Sequence, residues 1–371
     1  VVGGVEQGAL RIADNMSKDG NECVVVCKAS REAEVRDLLE DRPGLKIVTV
    51  DVESHAMCEE NEALDSGFFQ DLAEAEGAEL IHYFYNWSFP QNKKVPCLLT
   101  VHDVIPFTFQ EAMPDEIHKN IYKPGIKRAC ELNDMIATVS EFSRQDIAKT
   151  VGVPLEKIRV VYNGLREPAG HNQDIMNDLT KRFGLENGYI LNAGGIHERK
   201  NIVRMVQAFA KLVNNGYAGK LLITGKASGA PYQEEQRAIC DAAIAEAGMQ
   251  DRVIFGGFVT EDELDNLLGS ADIFIYPSLY EGFGIPILEA MKLKTPVVTS
   301  TVTAMPEVAG GAAMLADPES VESMTACMKS LLEDDALRAE LIEKGLAQSA
   351  EFSWDRNGRE YMAIYEEMTA G

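Results

Sequence analysis

Short apolar runs rich in Val, Ile and Leu alternate along the chain with stretches in which apolar residues recur every three or four positions. The first pattern reads as buried parallel strands and the second as amphipathic helices. Strands are predicted at 23–27, 46–50, 80–85, 97–103, 135–140 and 158–162, and again at 189–193, 220–225, 252–255, 272–276, 296–300 and 312–316. Helices fill most of the gaps, so the chain is expected to be an α/β protein of βα units wound into parallel sheets. Between the two series lies a polar stretch from Asn163 and Gly164 to Asn187 and Gly188, containing Pro168, Gly170, His171, Asn172 and Gln173. Its composition is that of a connection. It separates an expected domain of residues 1–165 from one of 187–350, and two such halves imply a cleft between them. Helical patterns at 321–332, 337–349 and 356–368 close the chain, and the last, within 355–371, is expected to cross back to the first domain. Val1 to Gly4 read as the end of a strand entering a glycine turn, which suggests that a natural first strand lies upstream.

Composition narrows the class. The chain has 371 residues and a net charge of −24, which disfavours nucleic acid over most of the surface. An anionic ligand therefore needs a local basic site. No apolar run approaches the length of a membrane span. Seven cysteines are scattered at 23, 27, 58, 97, 130, 240 and 327, and no signal peptide is apparent. These features fit reduced thiols in a cytoplasmic protein.

In open parallel sheets ligands sit beyond the carboxyl ends of strands, so residues just after strands are the candidates for chemistry. Gly194 and Gly195 end one predicted strand, and Arg199 and Lys200 follow before a helix that begins near Asn201. Glycines permit close backbone approach, and two cations at a helix start suit a phosphate or diphosphate. A turn with solvated cations would give the same pattern. After the strand ending Tyr276, Glu281 precedes Gly282, Phe283, Gly284, Ile285 and Pro286, and Glu289 follows. Pro286 suits a first helical turn, leaving the amides of 283–285 to face an anion. The two carboxylates could each accept paired hydrogen bonds from vicinal hydroxyls, or could be ordinary helix charges. His102 and Asp103 end a strand of the first half, and Gly3 and Gly4 precede a helix.

Together these segments resemble the retaining glycosyltransferases of family 4, over essentially the whole chain and most specifically in EGFGIPILEAMKLKTPVVTS, residues 281–300. The resemblance implies the GT-B architecture, two Rossmann-like domains facing across a cleft. It implies that Glu281 binds hydroxyls of a donor sugar, Glu289 the nucleotide ribose, and the amides of Phe283 and Gly284 the diphosphate. Lys200 matches the residue that neutralises the leaving diphosphate, and Gly3 and Gly4 match a glycine loop near phosphates and acceptor. His102 matches a residue beside the transferred sugar, and Gly257, Phe258 and Val259 match the loop that reads the nucleobase. The chain departs from the family at Gly195, where many members carry Arg; Arg199 and Lys226 are the nearest replacements. The VHDVIPF segment and Met305-Pro306-Glu307-Val308-Ala309-Gly310 look most like the mannosyltransferase branch of bacterial surface-polysaccharide biosynthesis.

The resemblance thus implies a hexosyltransferase that takes a nucleotide sugar, best GDP-mannose; no His/Asp cluster has metal-ligand spacing and cationic side chains can serve instead, so neither metal nor other cofactor is expected. Lys119, Lys123 and Lys127 recur every four residues and are expected to share one helical face, which Pro124 would bend or break. That face could meet a glycan or polyprenyl-linked acceptor or a membrane surface at the cell periphery; a solvated basic face is the plainer reading. Three rivals remain at this point: a UDP-sugar transferase of the same fold, a nucleotide-sugar epimerase, and a non-catalytic two-lobed binding protein.

Overall fold

Every strand pairing described is parallel, the arrangement that the near-continuous apolar runs demand. The computed structural model describes residues 4–39, 44–51, 64–85, 90–110, 113–225 and 231–370. The chain divides into two compact units, one of Val1–Phe107, Pro114–Gly164 and Phe352–Gly371, the other of Thr108–Met113 and Leu165–Glu351.

In the first unit β1 (Cys23–Lys28) pairs with β2 (Leu45–Val50), while β3 (Ile81–Tyr83), β4 (Cys97–Thr100), β5 (Met135–Thr138) and β6 (Ile158–Val160) form a second sheet in that order. The four strands of the second sheet are shorter than the sequence pattern predicts. Val101, Val139 and Val161 continue the apolar pattern and are buried, but they lie beyond the last strand residue. Gly4, expected in a turn, opens the helix Gly4–Lys18. Ile12 and Met16 of that helix pack with Leu98, Ala137 and Val161 and with Tyr361 and Ile364 of the last helix, Trp354–Thr369. The last helix is thus part of the first unit. Its hold is also polar: His82 bonds Tyr365 Oη at 2.8 Å through Nδ1 and Thr100 Oγ1 at 2.7 Å through Nε2. Burial pushes the His82 pKa down to about 3, so the ring is neutral, with one donor and one acceptor nitrogen to satisfy.

The helical face expected across residues 119–127, with Pro124 to bend or break it, runs through three consecutive helical pieces. Asp115–Ile117 leads into a π-turn at His118–Tyr122, and Lys123–Leu132 follows with Pro124 in its first turn. A proline there would clash with the carbonyl four residues back in a regular helix; the wider π-turn relieves the clash and uses the position where the missing N–H costs least.

The second unit holds six strands: β7 (Tyr189–Ala193), β8 (Lys220–Thr224), β9 (Val253–Gly257), β10 (Ile273–Tyr276), β11 (Val297–Ser300) and β12 (Met314–Ala316). They run in the order β12-β11-β10-β7-β8-β9. The chain therefore builds outward from β7 in one direction and then, from β10, in the other. Met205, Val206, Phe209 and Leu212 of Ile202–Asn214 pack with Met324, Met328 and Leu331 of Val321–Glu333 against Ile190, Leu221 and Ile223 of the sheet.

The polar stretch expected to connect the domains contains a helix, Gln173–Phe183, that belongs to the second unit. Its stripe of Met176, Leu179 and Phe183 is buried, the Asn172 side chain caps its start, and Gly184 ends it at φ +63°. Leu179→Ala is expected to lower the stability of the second unit by about 2–5 kcal/mol, read as a fall in urea midpoint; a mere connection would not respond.

Candidate active site

The strand order of the second unit reverses between β7 and β10, and the crevice outside the carboxyl ends of such a pair is where α/β sheets bind ligands. The loop after β7 carries Gly194, Gly195, Arg199 and Lys200, and the loop after β10 carries Glu281. The two loops are laced together. Leu279 N–H donates to the Arg199 carbonyl at 2.7 Å, and Asn201 Nδ2 donates to the Pro277 carbonyl at 3.1 Å. Asn201 does so from a left-handed conformation, φ +59°, at the cap of Ile202–Asn214, a geometry asparagine tolerates better than most residues.

The charges converge on one oxygen. Glu281 Oε1 accepts from Lys200 Nζ at 2.8 Å and from Arg199 Nη1 at 2.7 Å. Lys200 is only 4% exposed, a placement an ammonium accepts when opposite charge and acceptors surround it. Its Nζ also bonds Tyr276 Oη at 2.5 Å and lies 4.3 Å from the centre of that ring. A Cβ on Gly194 would come within 2.8 Å of Lys200 Nζ, at φ +134°, so glycine there makes room for the ammonium. Burial works to raise the Glu281 pKa, but Lys200 and Arg199 outweigh it and hold the carboxyl below its ordinary value. Burial keeps Tyr276 a neutral phenol.

The backbone of Glu281 is held as well. Its N–H donates to Thr303 Oγ1 at 3.2 Å, and Thr303 sits at φ +58°, rare for a β-branched side chain. Nothing in the sequence pattern signals that conformation. Beyond Glu281, Gly284 at φ +116° precedes the helix Ile285–Lys292, with Pro286 in its first turn. The helix start thus lies where the sequence predicts it, and its dipole favours an anion.

Glu289, one turn into the helix, lies apart from the Lys200 group in its pairing. Its Oε1 is 3.5 Å from Nε of Arg166, a residue that sequence reasoning did not single out because a lone arginine in a polar stretch carries no pattern. Burial raises the Glu289 pKa; Arg166 opposes that shift, and Asp265 and Glu261 add to it.

Around the same sheet edge, Gly195 approaches Gly225, where a Cβ would overlap the Gly195 backbone. Phe258 follows β9 and is 66% exposed, with Val259 beside it. Gly3 and Lys226 lie outside the described residues.

His102 and Asp103 belong to the first unit. Burial lowers the His102 pKa to about 4, and its Nε2 is buried without a hydrogen-bond partner. Asp103 Oδ1 accepts from Ile105 N–H at 3.0 Å, starting the short helix Ile105–Thr108. Lys119 pairs with Asp115 at 2.9 Å, Lys127 stands 4.0 Å from Glu131, and Lys123 lies over the Phe107 ring at 5.3 Å. Among the described residues no cluster of three His, Cys, Asp or Glu is placed to hold a metal ion.

Residues 180–348 match the family described as Glycosyl transferases group 1, and residues 2–166 match Glycosyltransferase Family 4. The chain belongs to the family 4 glycosyltransferases. Among its relatives is O-antigen chain mannosyltransferase B of Escherichia coli, 32% identical over 263 residues, covering 69% of this chain and 66% of the relative. Serotype-specific mannosyltransferase WbdA, also of Escherichia coli, is 28% identical over 260 residues, covering 68% of this chain but 31% of the relative. The matched part of this glycosyltransferase therefore spans about two thirds of the first relative's length and under a third of the second's. The crystal structure of a glycosyltransferase from Rickettsia africae superposes with a TM-score of 0.75 at 16% identity, over 99% of this chain and 96% of that one. The fold is accordingly GT-B, and no helix among the described residues is long and apolar enough to cross a membrane.

Converting Glu281 to Gln would leave Lys200 and Arg199 without their carboxylate, at an expected cost of about 3 kcal/mol near neutral pH. Because the folded carboxyl titrates below its unfolded value, its stabilisation is present above the ordinary carboxylate range and is lost as pH falls through the lower folded value. Urea midpoints measured between about pH 5 and pH 3 should therefore fall more steeply in the wild type than in Glu281→Gln.

Proposed function

We propose that this glycosyltransferase moves a hexose, with mannose from GDP-mannose the first choice, onto a glycan or polyprenyl-linked glycan acceptor in polysaccharide synthesis, with retention at the anomeric carbon. The observation that carries the reading is the convergence of Arg199 and Lys200 on Glu281 at the β7–β10 switch point. The names of the two mannosyltransferase relatives support the choice of sugar and pathway class.

In this reading a nucleoside diphosphate takes over the two cations. Arg199 stands in for the arginine that Gly195 replaces, and the start of Ile285–Lys292, with Gly282, Phe283, Gly284 and Ile285, receives the phosphate oxygens. Glu281, released from its cations, accepts hydroxyls of the sugar, and Glu289 accepts those of the ribose. Gly257, Phe258 and Val259 face the base. In the first unit, Gly3, Gly4, His102 and Asp103 serve the sugar and acceptor side. The bond from the anomeric carbon to the leaving phosphate oxygen breaks, and the acceptor hydroxyl oxygen bonds to that carbon on the same face. Its proton passes to a diphosphate oxygen. Lys200 and Arg199 stabilise the negative charge that builds on the diphosphate, so the reaction is proposed to need no metal.

Nucleoside-diphosphate release from GDP-mannose, UDP-glucose, UDP-galactose and UDP-N-acetylglucosamine, in the presence of EDTA, tests this. Release from GDP-mannose, with kcat lowered about 10²–10³-fold in Lys200→Ala as for loss of a preorganised charge, is the expected result. Release from a UDP sugar alone would replace the donor, and silence on all four would overturn the reading.

The acceptor side carries a second expectation. Ile117 and Ile121 are 44% and 40% exposed beside Lys119, Lys123 and Lys127, a mixture suited to an anionic lipid surface. Changing the three lysines to Glu should abolish cosedimentation with anionic liposomes while leaving donor hydrolysis intact; retained liposome binding would make this a solvated face.

A further inference from the structure

The main segment of the second unit runs from Leu165, and the next residue is pinned at once to two helices. Arg166 Nη1 donates to Asp265 Oδ2 at 2.8 Å and Nη2 donates to Oδ1, a fork-to-fork pair that fixes the guanidinium plane. Asp265, on the helix Glu261–Ser270, is 2% exposed and also accepts the Ala169 N–H at 2.9 Å. With both Nη groups so engaged, the remaining Nε edge of Arg166 faces Glu289 Oε1 at 3.5 Å and Glu261 Oε2 at 3.9 Å. Lys292, on the helix of Glu289, points its ammonium to Glu167 at 2.8 Å and the Arg166 carbonyl at 3.3 Å instead. Arg166, Asp265, Glu289 and Lys292 line one small cavity with Pro168 and Leu293.

The charge arrangement is lopsided. A buried carboxylate, Asp265, and a half-buried one, Glu289, share one guanidinium, with Glu261 nearby and the neutral phenol of Tyr276 inside the sheet. A vicinal diol donates two hydrogen bonds, and a carboxylate can accept both only while charged; a protonated carboxyl has lost an acceptor and gained a donor. A carboxyl in this setting takes up a proton unless a cation opposes it.

We propose that Arg166 is a positioning residue of the donor site, held by Asp265 so that its Nε edge keeps Glu289 charged and oriented for the two hydroxyls of the nucleotide ribose. The proposal rests on the reading of Glu289 as the ribose-binding acid and adds the residues that make it able to act. Arg166 itself touches no substrate. Its effect is confined to ligands that carry the diol, which separates it from a role in folding alone.

Calorimetric titration with GDP and UDP, each beside its 2′,3′-dideoxy form, provides the test in the wild type, Arg166→Gln, Arg166→Lys and Arg166→Gln/Asp265→Asn. In the wild type the ribonucleotide should bind more tightly than its dideoxy form. Arg166→Gln should weaken the ribonucleotide about tenfold, the value of one charge-assisted hydrogen bond, and leave the dideoxy form unchanged. Arg166→Lys should keep more of the preference. The ribonucleotide affinity should also fall off at a higher pH in Arg166→Gln than in the wild type, because Glu289, already raised by burial, loses its opposing cation. Removing the Asp265 charge as well should move that pH back down. Equal weakening of both nucleotide forms, or of neither, in a wild-type background that does discriminate would overturn the role of Arg166 alone. A wild type that binds ribonucleotide and dideoxy forms alike, or none of them, would overturn the ribose reading of Glu289 and this assignment with it.

Discussion

A carboxylate taken out of water costs several kcal/mol unless opposite charge and hydrogen-bond donors meet it. Glu281 meets that demand through Lys200 and Arg199, and much of the second unit is arranged so that it can. Gly194 makes room for the Lys200 ammonium, and Tyr276 presents both its hydroxyl and its ring to that group. Thr303, at an unfavourable φ, holds the Glu281 backbone, and Asn201 at another positive φ ties the two loops to each other. A network so fully paired is rigid only while every partner is present, since each deletion strands a buried charge. A polyanionic ligand with hydroxyls offers replacements for both sides of the pair, which is why such a resting arrangement suits a site for a nucleotide sugar.

The sheet topology explains why these residues meet. β7 and β10 are neighbours in space but are separated in sequence by two complete βα excursions through β8 and β9. Loops that leave adjacent carboxyl ends in opposite directions open a crevice between them. Residues some eighty positions apart therefore share a few ångströms without any long loop being needed to bring them there.

The strands were legible because parallel sheets are buried on both faces and therefore read as continuous apolar runs, as in 221–223 and 273–276. Their ends were less so, since burial of Val101 and Val139 outlasts the strands themselves. The helix Gln173–Phe183 was missed because the four apolar residues Ile175, Met176, Leu179 and Phe183 among Asn, Asp, Gln, Lys and Arg make a narrow stripe, and the surrounding Pro, Gly and Asn gave the stretch the look of a linker. Arg199, Lys200 and Glu281 were visible as residue types at strand ends, and the resemblance joined them; their sharing of a single oxygen was not visible. Arg166 and Thr303 left no trace in the pattern. One acts through a tertiary pair with Asp265 and the other through a backbone angle, and neither property is written in local spacing.

The first unit is assembled from both ends of the chain, with Tyr361 and Ile364 of the last helix packed against Ile12 and Met16 of the first. Synthesis on the ribosome runs in one direction, so every residue of the second unit emerges before the helix Trp354–Thr369 does. The second unit can consolidate early, while Ile12 and Met16, already met by Leu98, Ala137 and Val161, wait for Tyr361 and Ile364 to complete their packing. Loss of the helix Trp354–Thr369 would consequently damage a unit whose strands are all made before it.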